Sequence, residues 1–123
     1  MRNVLLAAPF LVGSWFGSGQ PDNKGSMWLI HESADGGFTV QFRTCAKGKN
    51  LDEIETGRWT LSGDVETLHI ATVNGTKVAL NDDYRILWHD LGKQIYRYQG
   101  TGYVYTSKRV DADFVMPDCE MVS

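Results

Sequence analysis

The chain has 123 residues, of which 42% are hydrophobic and 22% are charged. This size accommodates one domain with a hydrophobic core, and the composition excludes both a disordered chain and a collagen-like one. Fifteen acidic against twelve basic residues give a net charge of -3, so we expect neither nucleic acid nor an anionic membrane surface as a partner. Residues 1–123 are therefore interpreted as a single domain.

The chain begins with Arg2 and a short apolar run over residues 4–8. This pattern is similar to the start of a secretory signal, but the run is shorter than the apolar region of such signals. The preferred interpretation is a short N-terminal helix or coil over residues 3–11 that packs on the domain, and a trimmed signal is the alternative. No run of about eighteen apolar residues occurs, so no membrane-spanning helix is predicted.

Turn signals recur at short intervals from residue 17 onward and predict an all-β chain. The strongest is Asn74-Gly75, because both central residues of a type I′ hairpin turn need positive φ. A long polar connection is predicted over residues 46–55, with at most one helical turn at residues 50–54, and Asp82-Asp83 is assigned to a loop. The remaining stretches are rich in aromatic and β-branched residues and are predicted as eight strands, at residues 12–19, 26–33, 37–44, 56–62, 66–73, 76–80 with 84–89, 94–99 and 103–110.

Eight consecutive strands joined by tight hairpins leave two exposed edges unless the last strand pairs with the first. The pattern therefore predicts an eight-stranded antiparallel up-and-down β-barrel. The alternative, a two-sheet sandwich, usually needs several long connections, and this chain offers one. A barrel of eight strands is wide enough for side chains or for one small ligand.

Two cysteines, Cys45 and Cys119, are compatible with one disulfide, with two buried thiols or with a reactive pair. The lack of a Cys-x-x-Cys motif argues against a thioredoxin-like redox site and a compact zinc site. A bridge between them would stabilise the fold by about 4 kcal/mol in the chain-entropy model. We expect a periplasmic or secreted protein if the cysteines are bridged and a cytoplasmic one if they are free.

Two short motifs and the hairpin spacing resemble the lipocalins and the shorter lipocalin-like barrels of bacteria. Residues 11–17 contain Gly-x-Trp, ending at Trp15, at the head of the first predicted strand, and residues 107–110 close the last one with a basic pair. The resemblance implies a disulfide that ties the C-terminal tail, residues 111–123, to the barrel wall, and Cys119 is placed for it.

The resemblance also implies how one end of the barrel is closed. Trp15 is expected at the barrel base, covered by Arg109 from the last strand, with Lys108 as the alternative. Residues 1–10 are expected to plug the same end. These roles are structural, because a guanidinium over an indole seals the barrel without touching a ligand.

Strand alternation marks the side chains that are expected to face the lumen. In the strand of residues 37–44, Phe38, Val40 and Phe42 alternate with polar residues, so one face is buried. We predict that the lumen binds a small hydrophobic or amphipathic molecule, without catalytic residues and without cofactor or metal. The predicted ligand-binding residues are Phe38, Val40, Phe42, Trp59, His69, Tyr84, Ile86, Trp88, Tyr103 and Tyr105.

Three alternatives stay open. Lipocalin-like barrels include enzymes of the isomerase or decarboxylase type, and Arg97 and His69 are the candidate residues for such an activity here. Strand alternation places Arg97 on the opposite face from Tyr96 and Tyr98. Haem binding is a further alternative, because it needs only one axial histidine in a dry pocket, as in the nitrobindins, which this kind of barrel resembles. The barrel can also be a ligand-free structural or partner-binding module, and the oligomeric state is not predicted.

Overall fold

The computed structural model describes residues 9–20 and 25–119. Within these ranges eight antiparallel strands form a closed barrel in sequence order, and the first strand pairs with the second and the eighth. The strands are β1 Gly13–Ser18, β2 Ser26–Glu32, β3 Gly37–Ala46, β4 Lys49–Ser62, β5 Val65–Val73, β6 Thr76–His89, β7 Lys93–Tyr98 and β8 Val104–Val110. The predicted up-and-down barrel is confirmed. No helix in the described ranges is long and apolar enough to cross a membrane.

The fourth strand is longer than the sequence pattern indicated. Residues 46–55, predicted as a polar connection with a helical turn, instead end β3 and begin β4, so that prediction is wrong. Lys47 and Gly48 form the turn, both with positive φ, at 54° and 75°. Arg43 and Asp52 then face each other across the hairpin, and the guanidinium donates to both carboxylate oxygens at 2.7 and 2.9 Å. Cross-strand polar pairs thus extend the sheet where apolar alternation is missing.

The sixth strand is continuous, and the assignment of Asp82-Asp83 to a loop is wrong. Both aspartates lie inside β6, opposite Leu68 and Thr67 of β5. Asp83 points outward and accepts a hydrogen bond from Thr67 Oγ1 at 2.6 Å. Asp82 points to the opposite side, where it lines the lumen.

Trp15 lies at the closed end of the barrel beneath Arg109. The guanidinium carbon of Arg109 is 4.3 Å from the centroid of the indole ring, and the two residues are paired across β1 and β8. Trp15 Nε1 donates to the carbonyl of Leu11 at 3.0 Å, at the end of a 3₁₀ turn, Pro9–Leu11. The Arg109 guanidinium also donates to three backbone carbonyls, those of Phe10, Val12 and Leu91. Most of the predicted plug over residues 1–10 lies outside the described residues.

A disulfide joins Cys45 at the end of β3 to Cys119 in the C-terminal tail, so the predicted pairing is confirmed. The tail runs along the outer wall of the barrel. Phe114 packs against Phe16 of β1, with ring centroids 4.9 Å apart, and Met116 joins the same buried cluster. The tail therefore covers an apolar patch on the outside of β1 and β2.

Candidate ligand-binding lumen

The barrel encloses a cavity of about 500 Å³. Cavities of about 300–1,000 Å³ are typical of small-molecule sites. Glu32, Glu66 and Gln94 line one end of the cavity, here called the floor, and at the opposite end, here called the mouth, the exposed side chains of Thr44 and Glu53 line it. Alternating inward positions of the strands build its apolar wall from Trp28, Ile30, Val40, Phe42, Leu68, Tyr84, Tyr96 and Tyr105.

The aromatic side of the wall is held in place by contacts between its own rings. Tyr96 stacks on Tyr105 with centroids 5.9 Å apart and meets Tyr84 edge-on at 5.5 Å. Trp28 meets Tyr105 edge-on, also at 5.5 Å. The Ser107 hydroxyl accepts from Trp28 Nε1 at 2.9 Å and lies 3.2 Å from the Tyr96 hydroxyl. Such a wall offers apolar area without ordering new side chains when a ligand enters.

Two carboxyl groups meet across the lumen at its floor. Glu32 is the last residue of β2 and Glu66 the second residue of β5, and a side-chain hydrogen bond joins them. They are 4% and 6% exposed, and Gln94 of β7, at 4%, is buried at the same end. One oxygen of each side chain, Glu32 Oε1, Glu66 Oε2 and Gln94 Oε1, has no hydrogen-bond partner. Buried polar atoms without a protein partner are rare in folded proteins, and these three oxygens are free to accept hydrogen bonds from a molecule in the lumen.

Burial raises the pKa of both carboxyls because the charged form is poorly solvated. The charge of Glu66 raises the pKa of Glu32 further, whereas the hydrogen bond from Glu32 opposes the rise at Glu66. Glu32 is therefore the carboxyl that keeps its proton. The other titratable groups of the wall are Arg43 on β3, Glu53 and Glu55 on β4, Asp82 and Tyr84 on β6, Tyr96 and Tyr98 on β7 and Tyr105 on β8.

More carboxyl groups line the lumen toward the mouth. Burial, together with Glu53 and Asp82, raises the pKa of Glu55 to about 7. Asp82 accepts a hydrogen bond from the Tyr98 hydroxyl at 2.9 Å. Burial raises the pKa of Tyr84 and Tyr96, so these phenols stay neutral across the physiological range. The acidic groups thus determine the sign of charge along the lumen.

The structure distributes the ten predicted ligand-binding residues over three places. Val40, Phe42, Tyr84 and Tyr105 line the cavity. Three others, Phe38, Trp59 and Ile86, pack in the core without lining it.

The expectation that His69, Trp88 and Tyr103 face the lumen is wrong. His69 is exposed on the outer face of β5, where its ring nitrogens lie 3.1 Å from Thr60 Oγ1 and 3.0 Å from Asn81 Oδ1. Trp88 is 47% exposed because a register shift between Ile86 and Trp88 interrupts the alternation of β6. Tyr103 precedes β8 and is 54% exposed.

The residues suspected for an enzyme do not meet in the lumen. Tyr96 and Tyr98 line the cavity and Arg97, between them, does not. None of the three histidines lines it: His31 lies 2.5 Å from Ser14 Oγ, and His89 stacks on Phe10. The haem alternative therefore lacks an axial histidine in this cavity. Among the described residues, no three His, Cys, Asp or Glu side chains group in a way that could hold a metal ion.

Sequence reasoning missed the polar floor, although the alternation contained its signal. Glu32 follows Trp28 and Ile30 at spacing two, and Glu66 precedes Leu68 at the same spacing. Each therefore shares a face with residues of an inward apolar set. Gln94 stands in the same relation to Tyr96. A pattern of apolar alternation does not include these positions, because their own side chains are polar.

No protein-family model matches the sequence, and no curated protein shows significant similarity to it.

Proposed function

We propose that this protein is a lipocalin-like binding protein that holds a small amphipathic molecule in its barrel lumen. The observation that carries the proposal is the cavity of about 500 Å³, with an aromatic wall and a polar floor. Convergent polar groups at one end of an apolar cavity fix the orientation of a ligand, and the apolar wall supplies most of the binding free energy. Micromolar binding requires about -8 kcal/mol, which burial of one such molecule provides.

Binding without chemistry agrees with the side chains that line the cavity. Its described lining contains no histidine, cysteine or lysine. The hydroxyl of Ser107 already contacts Trp28 and Tyr96, so it is not poised as a nucleophile. A carrier or sensor is therefore favoured over a lumen enzyme.

The proposed place of action is outside the cytoplasm. The bridge between Cys45 and Cys119 supports it, because disulfides persist mainly in oxidising compartments. In the chain-entropy model a bridge across 74 residues stabilises the fold by about 4 kcal/mol, a contribution that only such a compartment preserves.

A neutral apolar dye, N-phenyl-1-naphthylamine, tests the proposal directly. The emission of the dye is expected to rise on binding. The bound dye is also expected to quench the fluorescence of Trp28 in the wall. Val40 lines the lumen and is 2% exposed, whereas its neighbour Thr39 faces outward. Val40→Trp fills the cavity and is expected to weaken dye binding at least about tenfold, while Thr39→Trp binds like the wild type. Ile30→Trp offers a second filling variant.

Two results would reject lumen binding. One is dye emission that is the same with the folded Val40→Trp and Ile30→Trp variants as with the wild type, because the dye then binds outside the lumen. The other is no binding by the dye or by a panel of fatty acids and aromatic amines and alcohols. Circular dichroism of each variant establishes that the barrel is folded before the titration.

A further inference from the structure

We propose that the ligand of the lumen is an organic amine, whose protonated nitrogen donates to Glu32, Glu66 and Gln94 while its apolar part lies against the aromatic wall. This inference rests on the proposed binding function and specifies the class of ligand.

The floor of the lumen presents hydrogen-bond acceptors that lack donors. Glu32 Oε1, Glu66 Oε2 and Gln94 Oε1 come from β2, β5 and β7, and all three side chains are at least nine-tenths buried and line the cavity. A buried acceptor without a partner costs free energy that a suitable donor recovers. An ammonium group has three N–H donors and no acceptor, a hydroxyl has one donor, and a carboxylate has none. Carboxyl and amide oxygens that come from three strands are therefore better suited to an ammonium than to a hydroxyl or a carboxylate.

The charges along the lumen favour the same class of ligand. Only one described lining residue is cationic, Arg43, and its guanidinium is bound to Asp52 at 2.7 Å and to the Pro117 carbonyl at 2.9 Å. A cation is therefore attracted along the lumen and an anion repelled. The described carboxyl groups that line the cavity are Glu32, Glu53, Glu55, Glu66 and Asp82.

Binding of an ammonium changes the protonation of the floor. In the empty lumen the pair of Glu32 and Glu66 shares a proton, and Tyr84 and Tyr96, which face it, stay neutral. A positive charge beside the pair favours the ionised form. The protonated amine enters, the O–H bond of Glu32 breaks, and that proton leaves to solvent, so charge and atoms balance. Amine binding is thus accompanied by proton release at every pH at which Glu32 is protonated in the empty lumen.

Four probes that share a phenylethyl group separate charge from hydrogen bonding: 2-phenylethylammonium, its N,N,N-trimethyl analogue, 2-phenylethanol and 3-phenylpropionate. Calorimetric titration of the wild-type protein is expected to show the primary ammonium binding about 10- to 100-fold tighter than the alcohol, as charge-assisted hydrogen bonds require. The trimethyl analogue, which lacks N–H donors, and the carboxylate are expected to bind more weakly than the primary ammonium. Titrations in two buffers of different ionisation enthalpy are expected to report proton release for the ammonium alone.

Variants locate the effect at the floor. Glu32→Gln and Glu66→Gln are each expected to weaken the ammonium about tenfold and to leave the alcohol within about twofold. Asp83→Asn removes an equal charge from the outer face of β6 and is expected to leave both affinities unchanged.

The outcomes separate this inference from the proposed function. If the naphthylamine dye binds in the lumen but the ammonium binds no tighter than the alcohol or the trimethyl analogue, the amine assignment is overturned and lumen binding stands. If neither dye nor probes bind, both are overturned. A preference for the ammonium that survives in both folded Glu→Gln variants, or amine binding without proton release, overturns the role of the carboxyl pair.

Discussion

Replacing Glu32 by glutamine removes the carboxyl that keeps its proton in the buried pair, and we predict a change in how stability depends on pH. Burial, the charge of Glu66 and their hydrogen bond hold the pKa of Glu32 well above its ordinary value of 4.5. Between the ordinary value and the raised one, the folded chain binds a proton that the unfolded chain has lost. The free energy of unfolding therefore falls as pH rises through this window, and the stabilising contribution is complete only below it.

The size of the effect follows from one retained proton. Each such proton lowers the free energy of unfolding by about 1.4 kcal/mol per pH unit. The loss from Glu32 accumulates at this rate through the window between its ordinary pKa and its raised one. The amide of Glu32→Gln is neutral at every pH and keeps a donor for Glu66, so the variant is expected to lose this pH dependence and to become more stable than the wild type as pH rises through the window. Glu55 and Glu66, whose pKa values are also raised, leave a smaller slope in the variant.

Urea unfolding followed by circular dichroism at several pH values between 5 and 7 measures this slope. Asp83→Asn, which removes a carboxyl from the outer face of β6, is the matched control and is expected to keep the wild-type slope. If Glu32→Gln also kept the wild-type slope, Glu32 would ionise normally in the folded protein and the account of a protonated floor would be refuted.

Three further predictions concern the frame that holds the lumen. Trp15→Ala is expected to lower the free energy of unfolding by about 3–5 kcal/mol, because it empties a fully buried site under Arg109; urea unfolding measures this, and wild-type stability would contradict it. Replacing both Cys45 and Cys119 by serine is expected to cost about 4 kcal/mol, and the wild type should weigh two hydrogens less before reduction than after; free thiols in oxidised, folded protein would speak against the bridge. Gly17→Ala would place a Cβ 2.1 Å from the Trp28 ring. We therefore expect the free energy of unfolding to fall by about 1–3 kcal/mol and dye binding to weaken. Unchanged stability and unchanged dye binding would contradict this, because they would show that the ring moves freely.

The fold was predictable because turn chemistry is local. Asn74-Gly75 sits at the β5–β6 turn with both residues at positive φ, 49° and 82°, as the dipeptide indicates. The errors arose where strands carry polar residues on both faces. In residues 49–55 and at Asp82-Asp83 no apolar alternation remains, and pairing with neighbouring strands determines the structure there.

The site was predictable only in part. It depends on which residues of each strand face inward, and on how closure of the barrel brings distant strands together. Leu68 and Ile70 are buried apolar residues on either side of His69. The alternation of β5 therefore predicts that His69 faces outward. Trp88 was not predictable in this way, since a shift in register reverses the alternation. The meeting of Glu32 with Glu66 depends on the curvature that brings β2 opposite β5, which no local pattern of one strand contains.

The central claim, that a ligand enters the lumen, is tested most directly by methyl NMR of the protein titrated with 2-phenylethylammonium. Ile30 and Leu68 carry methyl groups that line the cavity, whereas Leu80 and Leu87 are 53% and 42% exposed and lie outside its lining. We predict shift changes and intermolecular nuclear Overhauser effects at Ile30 and Leu68 that saturate with the amine, while Leu80 and Leu87 stay unchanged. Contacts confined to Leu80 and Leu87, with the lumen methyls unperturbed at saturation, would contradict it.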